Sequence, residues 1–145
     1  WDVVRDVTRV GEWSHECTSV VWLDGATEAH PGVRFQGHNH ASIFRWGRVC
    51  EIVTSEPWEL TWRTVPSRFY PDTTTWTIRL HETPDGRTRI EQSFQGAGPK
   101  LLLRAYGIVI PAHRDRTEAL ADDLRRLGNI AAGVPLSPTN DGARS

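Results

Sequence analysis

Apolar and polar positions change period twice along this chain, and each change marks a change of element. At Trp1–Arg9, Trp1, Val4 and Val7 or Thr8 recur at helical spacing, which predicts a short helix stopped at Gly11, with a second short turn at Glu12–Ser14. The period then becomes two. Cys17–Leu23, Val33–His40, Phe44–Thr54, Trp58–Val65, Asp72–Glu82 and Arg87–Gln95 read as six strands. They are separated by turn signals such as Asp24-Gly25, Ser55-Glu56-Pro57, Pro66 and Pro84-Asp85-Gly86. Connections this short predict an antiparallel meander. From Gly98-Pro99 the period returns to 3.6, with Leu101, Leu102, Ala105, Ile108, Val109, Ala112, Leu120, Leu124, Leu127 and Ile130 on one stripe. A long helix is expected there, kinked or divided at Pro111 and ended by Gly133 before Pro135. The polar tail 134–145 reads as disordered.

Alternation also assigns faces. Val33, Phe35, Gly37 and Asn39 share one, as do Trp58, Leu60, Trp62 and Thr64. So do Trp76, Ile78 and Leu80, and likewise Ile90, Gln92 and Phe94. These faces are apolar and aromatic, yet Gln92, Thr64, Gly37 and Asn39 interrupt them. An unpaired buried polar group costs about 1–3 kcal/mol, so a packed core excludes it. A ligand pocket uses such a group to orient its guest. The plainer reading has these side chains bonding each other, the backbone or buried water.

Length and composition narrow the class. A chain of 145 residues suits one domain and buries enough surface to need no metal or disulfide staple. With 24% charged and 38% hydrophobic residues it lies outside the disordered class. A net charge of −1 argues against nucleic acid as the partner. No apolar run reaches the ~20 residues that span a bilayer, so stable membrane insertion is not expected. No leader segment is visible and only Cys17 and Cys50 are present, so the chain reads as cytoplasmic, with both thiols as small buried fillers.

Reactive constellations are sparse. His38 and His40, at i and i+2 on a strand, point the same way and would need a third metal ligand such as His15, His81 or a carboxylate. Phe35 and Gly37 define the inner face, so both histidines face outward and no metal site is expected. Arg48 and Glu51 project from the third strand, and a buried charge there would need a partner. Tyr70 sits in the 68–72 turn, and His113 lies among charged residues on a solvated face. Asp122 and Arg126, at i and i+4, read as a surface pair. No Ser-His-Asp arrangement, phosphate-cradling loop or dinucleotide fingerprint occurs, and no cofactor is implied.

The order of local motifs resembles a family. Trp1-x4-Asp6 is followed by Gly11-x-Trp13, Asp24-Gly25 and Pro31-Gly32-Val33-Arg34-Phe35-x-Gly37-x-Asn39. Then come the Trp46 strand, Ser55-Glu56-Pro57 before the Trp62 strand, Thr75-Trp76-x-Ile78-x-Leu80 and the long terminal helix. The chain resembles the START-like (SRPBCC) superfamily, in its bacterial polyketide cyclase/dehydrase-like branch, over residues 1–133. The resemblance implies an α+β helix-grip (Bet v 1-like) fold, in which a curved antiparallel sheet wraps the C-terminal helix over an apolar cavity. The family's first strand precedes its first helix. Here it lies upstream of Trp1, or the sheet closes differently and leaves an edge open to homodimer pairing.

The function expected is binding of a hydrophobic small molecule, such as a lipid, a sterol or an aromatic polyketide, between sheet and helix. The candidate contacts are Phe35, Asn39, Leu60, Trp62, Trp76, Ile78, Ile90, Gln92 and Phe94 on the strands, with Leu101, Arg104, Ala105 and Ile108 on the helix. One alternative is a polyketide cyclase or dehydratase using Tyr106, Arg104 and Gln92 near the cavity. Another is a protein-interaction module, which predicts an exposed apolar patch. Fold alone does not choose between them, and no catalytic residue is assigned.

Overall fold

The computed structural model describes residues 1–98 and 117–134. Its sheet has six strands: β1 (Cys17–Trp22), β2 (Arg34–Ala41), β3 (Phe44–Glu56), β4 (Glu59–Thr64), β5 (Thr73–Glu82) and β6 (Thr88–Ala97). They run in sequence order and every neighbouring pair is antiparallel, as the short connections predict. The chain is thus α+β, an antiparallel meander with a C-terminal helix. Register slips by one residue between Cys17 and Ser19 and again between Ile52 and Thr54. Each bulge bends its strand and sharpens the local twist.

The turns follow their sequences. Asp24 and Gly25 both take positive φ, and Ala26 N–H donates to Leu23 O at 3.0 Å. Gly86 takes φ +74 after Pro84-Asp85, closing the β5–β6 hairpin with a Gly86 N–H bond to Thr83 O at 2.9 Å. The β3–β4 turn departs from expectation. Pro57 is followed by Trp58 at φ +75, so Trp58 is a turn residue outside the β4 alternation, and it is 57% exposed. Its ring lies 6.4 Å from that of Trp1 instead of on the inner face.

The N-terminal segment also differs from the single helix expected. It divides into α1 (Asp2–Arg5), a 3-10 turn (Val7–Arg9) and α2 (Val10–Trp13). The Asp6 carboxylate makes the break, accepting from Thr8 N at 3.1 Å and Thr8 Oγ1 at 2.6 Å. Gly11 does not stop a helix; it lies within α2. A β-carbon there would stand 2.6 Å from Thr18 O, so the glycine lets the helix approach β1 closely.

The C-terminal helix, α3 (Thr117–Ala131), has 15 residues and lies against α1, α2 and β6; the expected stretch 99–116 lies outside the described residues. Leu127 is fully buried, and Leu124 and Ile130 pack beside it, which matches the expected stripe. Gly133, at φ +68, donates to Ile130 O while Val134 N–H donates to Asn129 O at 2.9 Å, so the helix ends in a Schellman motif. The Pro111 kink, His113 and the 135–145 tail lie outside the described residues. The core joins Val4, Val7 and Trp13 to Phe35, Ile52, Leu60, Trp62, Ile78 and Leu127. Each such aliphatic or aromatic side chain contributes about 1.5–3 kcal/mol when fully buried.

Candidate functional site: the inner face of the sheet

The register stacks the inner-face residues in rows across the strands. Ile52, Trp62, Trp76 and Phe94 form one row, and Leu60, Ile78 and Gln92 the next. Leu80 pairs with Ile90, Phe35 with Cys50, Gly37 with Arg48 and Asn39 with Trp46. Aromatic rings run along this surface. Trp22 meets Phe35 edge-on at 6.0 Å, Phe35 meets Trp62 at 6.4 Å, and Trp76 meets Phe94 at 5.0 Å.

Burial grades along the face. Phe35, Leu60, Trp62 and Ile78 are buried, whereas Asn39, Trp76, Ile90 and Gln92 are half-buried. Phe94 shares the face as expected but is 50% exposed, so part of an aromatic surface stays open beside Trp76. The sheet therefore brings nine of the expected contacts onto one face. Leu101, Arg104, Ala105 and Ile108 lie outside the described residues, as does Tyr106.

Two polar groups on this face are incompletely paired. Gln92 Oε1 is buried and accepts no hydrogen bond from the described residues. It stands beside Ile78 in its row, on an otherwise apolar surface. Arg48 is the second. Its Nη1 donates to Asp72 Oδ1 at 3.2 Å and Oδ2 at 3.1 Å, its Nη2 donates to Asp72 O at 3.0 Å, and its guanidinium lies 5.0 Å from the Tyr70 ring. Arg48 Nε is buried with no acceptor among the described residues. Sequence marked Arg48 as a charge in need of a partner, but gave no sign that Asp72 would fold back to meet it.

A third polar cluster fastens α3. Asp123 is buried at 2% exposure. Its Oδ1 accepts from His15 N at 2.8 Å and Arg126 Nη2 at 2.6 Å, and its Oδ2 lies 2.7 Å from His15 Nδ1. The expected Asp122–Arg126 pair is therefore replaced by Asp123–Arg126, and Asp122 pairs with Arg125 instead. The missed signal was position: residue 123 falls on the apolar stripe between Leu120 and Leu127.

The thiols are inert. Burial pushes Cys50 up to about 12 and Cys17 up to about 11, so neither forms a thiolate nucleophile near neutral pH. His38 and His40 are exposed, as parity predicts, and line a cleft of about 330 Å³ with Thr18, Arg45, Trp46 and neighbouring residues. The Arg45 cation opposite His40 disfavours a metal there, and His15 is engaged by Asp123. Among the described residues no cluster of three metal-ligating side chains occurs. The outer sheet face is ionic. Glu51 bridges Arg63 and Arg34, which hold its carboxyl below the usual range, and Glu59 pairs with Arg79 at 2.8 Å. No helix among the described residues is long and apolar enough to cross a membrane.

No family model matches the chain, and no curated protein does. Solved structures do match. One is the crystal structure of DR_A0006 from Deinococcus radiodurans, similar at a TM-score of 0.62 and 18% identity over 92% of this chain and 86% of that one. At this identity the likeness shows a shared fold alone.

Proposed function

We propose that the chain is a helix-grip protein of the START-like kind that binds a hydrophobic small molecule against the inner face of its sheet. The observation that carries this reading is Gln92, whose Oε1 is buried without a donor among the described residues, on a surface of Leu60, Ile78, Trp76 and Phe94. A lone acceptor in such a place fits a guest that brings one donor on an apolar frame. Native mass spectrometry of the protein from its own host, followed by extraction, tests it. A defined apolar adduct of one molecule per chain is expected. An empty protein that also fails to bind a panel of lipids and aromatic compounds contradicts it.

Arg48 favours a second reading, a cyclase- or dehydratase-like turnover of that ligand. A guanidinium fixed by Asp72 and Tyr70, with its Nε unpaired among the described residues, can polarise a ligand carbonyl. An Arg48→Met variant that binds the extracted compound as before but no longer converts it supports turnover. Unchanged conversion removes this reading.

A further inference from the structure

Every strand of the meander is antiparallel to its neighbour, so the loops gather at two ends of the sheet. One end holds the β2–β3 turn, the β4–β5 loop and the terminus of β6. The other holds the β1–β2, β3–β4 and β5–β6 connections.

At the first end the loop tips are apolar and point into solvent. Ile43 is 86% exposed and Phe69 83%, and Phe44 is also exposed. Ile43 follows Ser42, whose φ of +55 turns the hairpin tightly and lifts the isoleucine to its tip. Exposed Arg45 and Arg68 sit within two residues of Ile43 and beside Phe69. Stretches 36–50 and 60–71 contain no carboxylate at all. The acids placed at this end are Glu16, whose carbonyl accepts from His40 N–H at 2.8 Å, and Asp72, which is buried and paired with Arg48. At the opposite end Asp24, Glu28, Glu56 and Glu82 lie with Glu59 and Asp85, which pair with Arg79 and Arg87.

Large apolar side chains on loop tips are disfavoured in water, and scattered ones need no explanation. Two separate loops expose them at the same end, each with an exposed arginine, and the acid of the β4–β5 loop, Asp72, is buried against Arg48, so the tips form a coherent surface. We infer that this end docks onto an anionic lipid surface, with Ile43, Phe44 and Phe69 entering the headgroup region while Arg45 and Arg68 meet lipid phosphates. Apolar insertion and basic attraction together provide the two signals that reversible membrane association requires. Insertion of the two apolar tips orients the molecule on the surface. This inference does not depend on the ligand reading, since it uses none of the residues proposed to contact the ligand.

Co-sedimentation of the full chain with vesicles tests it. Binding is expected with phosphatidylcholine vesicles carrying about 30 mol% phosphatidylglycerol, and much less with phosphatidylcholine alone. Added salt should weaken it. The Arg45→Gln/Arg68→Gln pair should reduce affinity on the order of tenfold. Ile43→Ser/Phe69→Ser should abolish pelleting. All four positions are exposed, so unchanged circular dichroism and melting temperature are expected in both variants. Failure of the wild-type chain to pellet, or equal pelleting of the variants, overturns the inference. So does concentration-dependent self-association without vesicles that Ile43→Ser/Phe69→Ser removes, because the apolar tips would then serve a second copy of the chain.

Discussion

The buried carboxylate of Asp123 in α3 accepts the backbone N–H of His15 and faces its ring Nδ1 at 2.7 Å, joining two points 108 residues apart. No other side chain among the described residues links the segment before β1 to the C-terminal helix with two hydrogen bonds. Removing the carboxylate strands the His15 N–H and the Arg126 guanidinium together. We expect Asp123→Ala to lower stability by about 3 kcal/mol, in the range for breaking one side of a buried charged pair. His15→Ala leaves Arg126 and the backbone bond in place and should cost about 1 kcal/mol. Urea denaturation of the two variants checks the order. Equal losses would mean that Asp123 acts through His15 alone.

Two glycines in helices should respond oppositely to the same substitution. Gly11→Ala places a methyl 2.6 Å from Thr18 O, and backbone on both sides limits relaxation, so a loss of about 1–3 kcal/mol is expected despite the better helix former. Gly128, inside α3, has open space where its β-carbon would stand. Gly128→Ala should therefore gain up to about 1 kcal/mol. Thermal melts of both variants give the signs directly.

Cys50 sets a pH dependence on the alkaline side. Burial raises its thiol from the ordinary 9.0 to about 12, opposed by the nearby Arg48 charge. A raised folded value means that its stabilising contribution is whole below 9.0 and is lost as pH rises toward about 12. Unfolding free energy should fall over that window more steeply in the wild type than in Cys50→Ala. In the same samples, iodoacetamide near neutral pH should label Cys50 only after unfolding. Fast labelling of the folded chain would show that the thiol is reachable.

The six strands were legible because alternation is a local property of the sequence, and their turns carried strong Gly and Pro signals. Inner-face assignments held for the same reason at Phe35, Leu60, Ile78 and Gln92. Trp58 failed because a turn of positive φ interrupted the alternation one residue before β4 began. Asp123 failed because periodicity reports which side of a helix a position occupies, while a charged residue on that side is read as solvated unless its distant partners are known. The same limit hid Asp72 from Arg48. Local pattern places side chains on faces; only the tertiary structure pairs charges across 24 or 108 residues.

The binding reading stands or falls on Gln92, which can be watched directly. Naphthol supplies one hydroxyl donor on an apolar aromatic frame, and its titration can be followed by NMR at the Gln92 side-chain amide and the Trp62 and Trp76 indole N–H groups. Saturating shifts at all three are expected, with affinity about fivefold to tenfold weaker in Gln92→Leu for the loss of one hydrogen bond. Shifts confined to the His38–Trp46 cleft, or none at the inner face, would contradict a ligand site on the sheet.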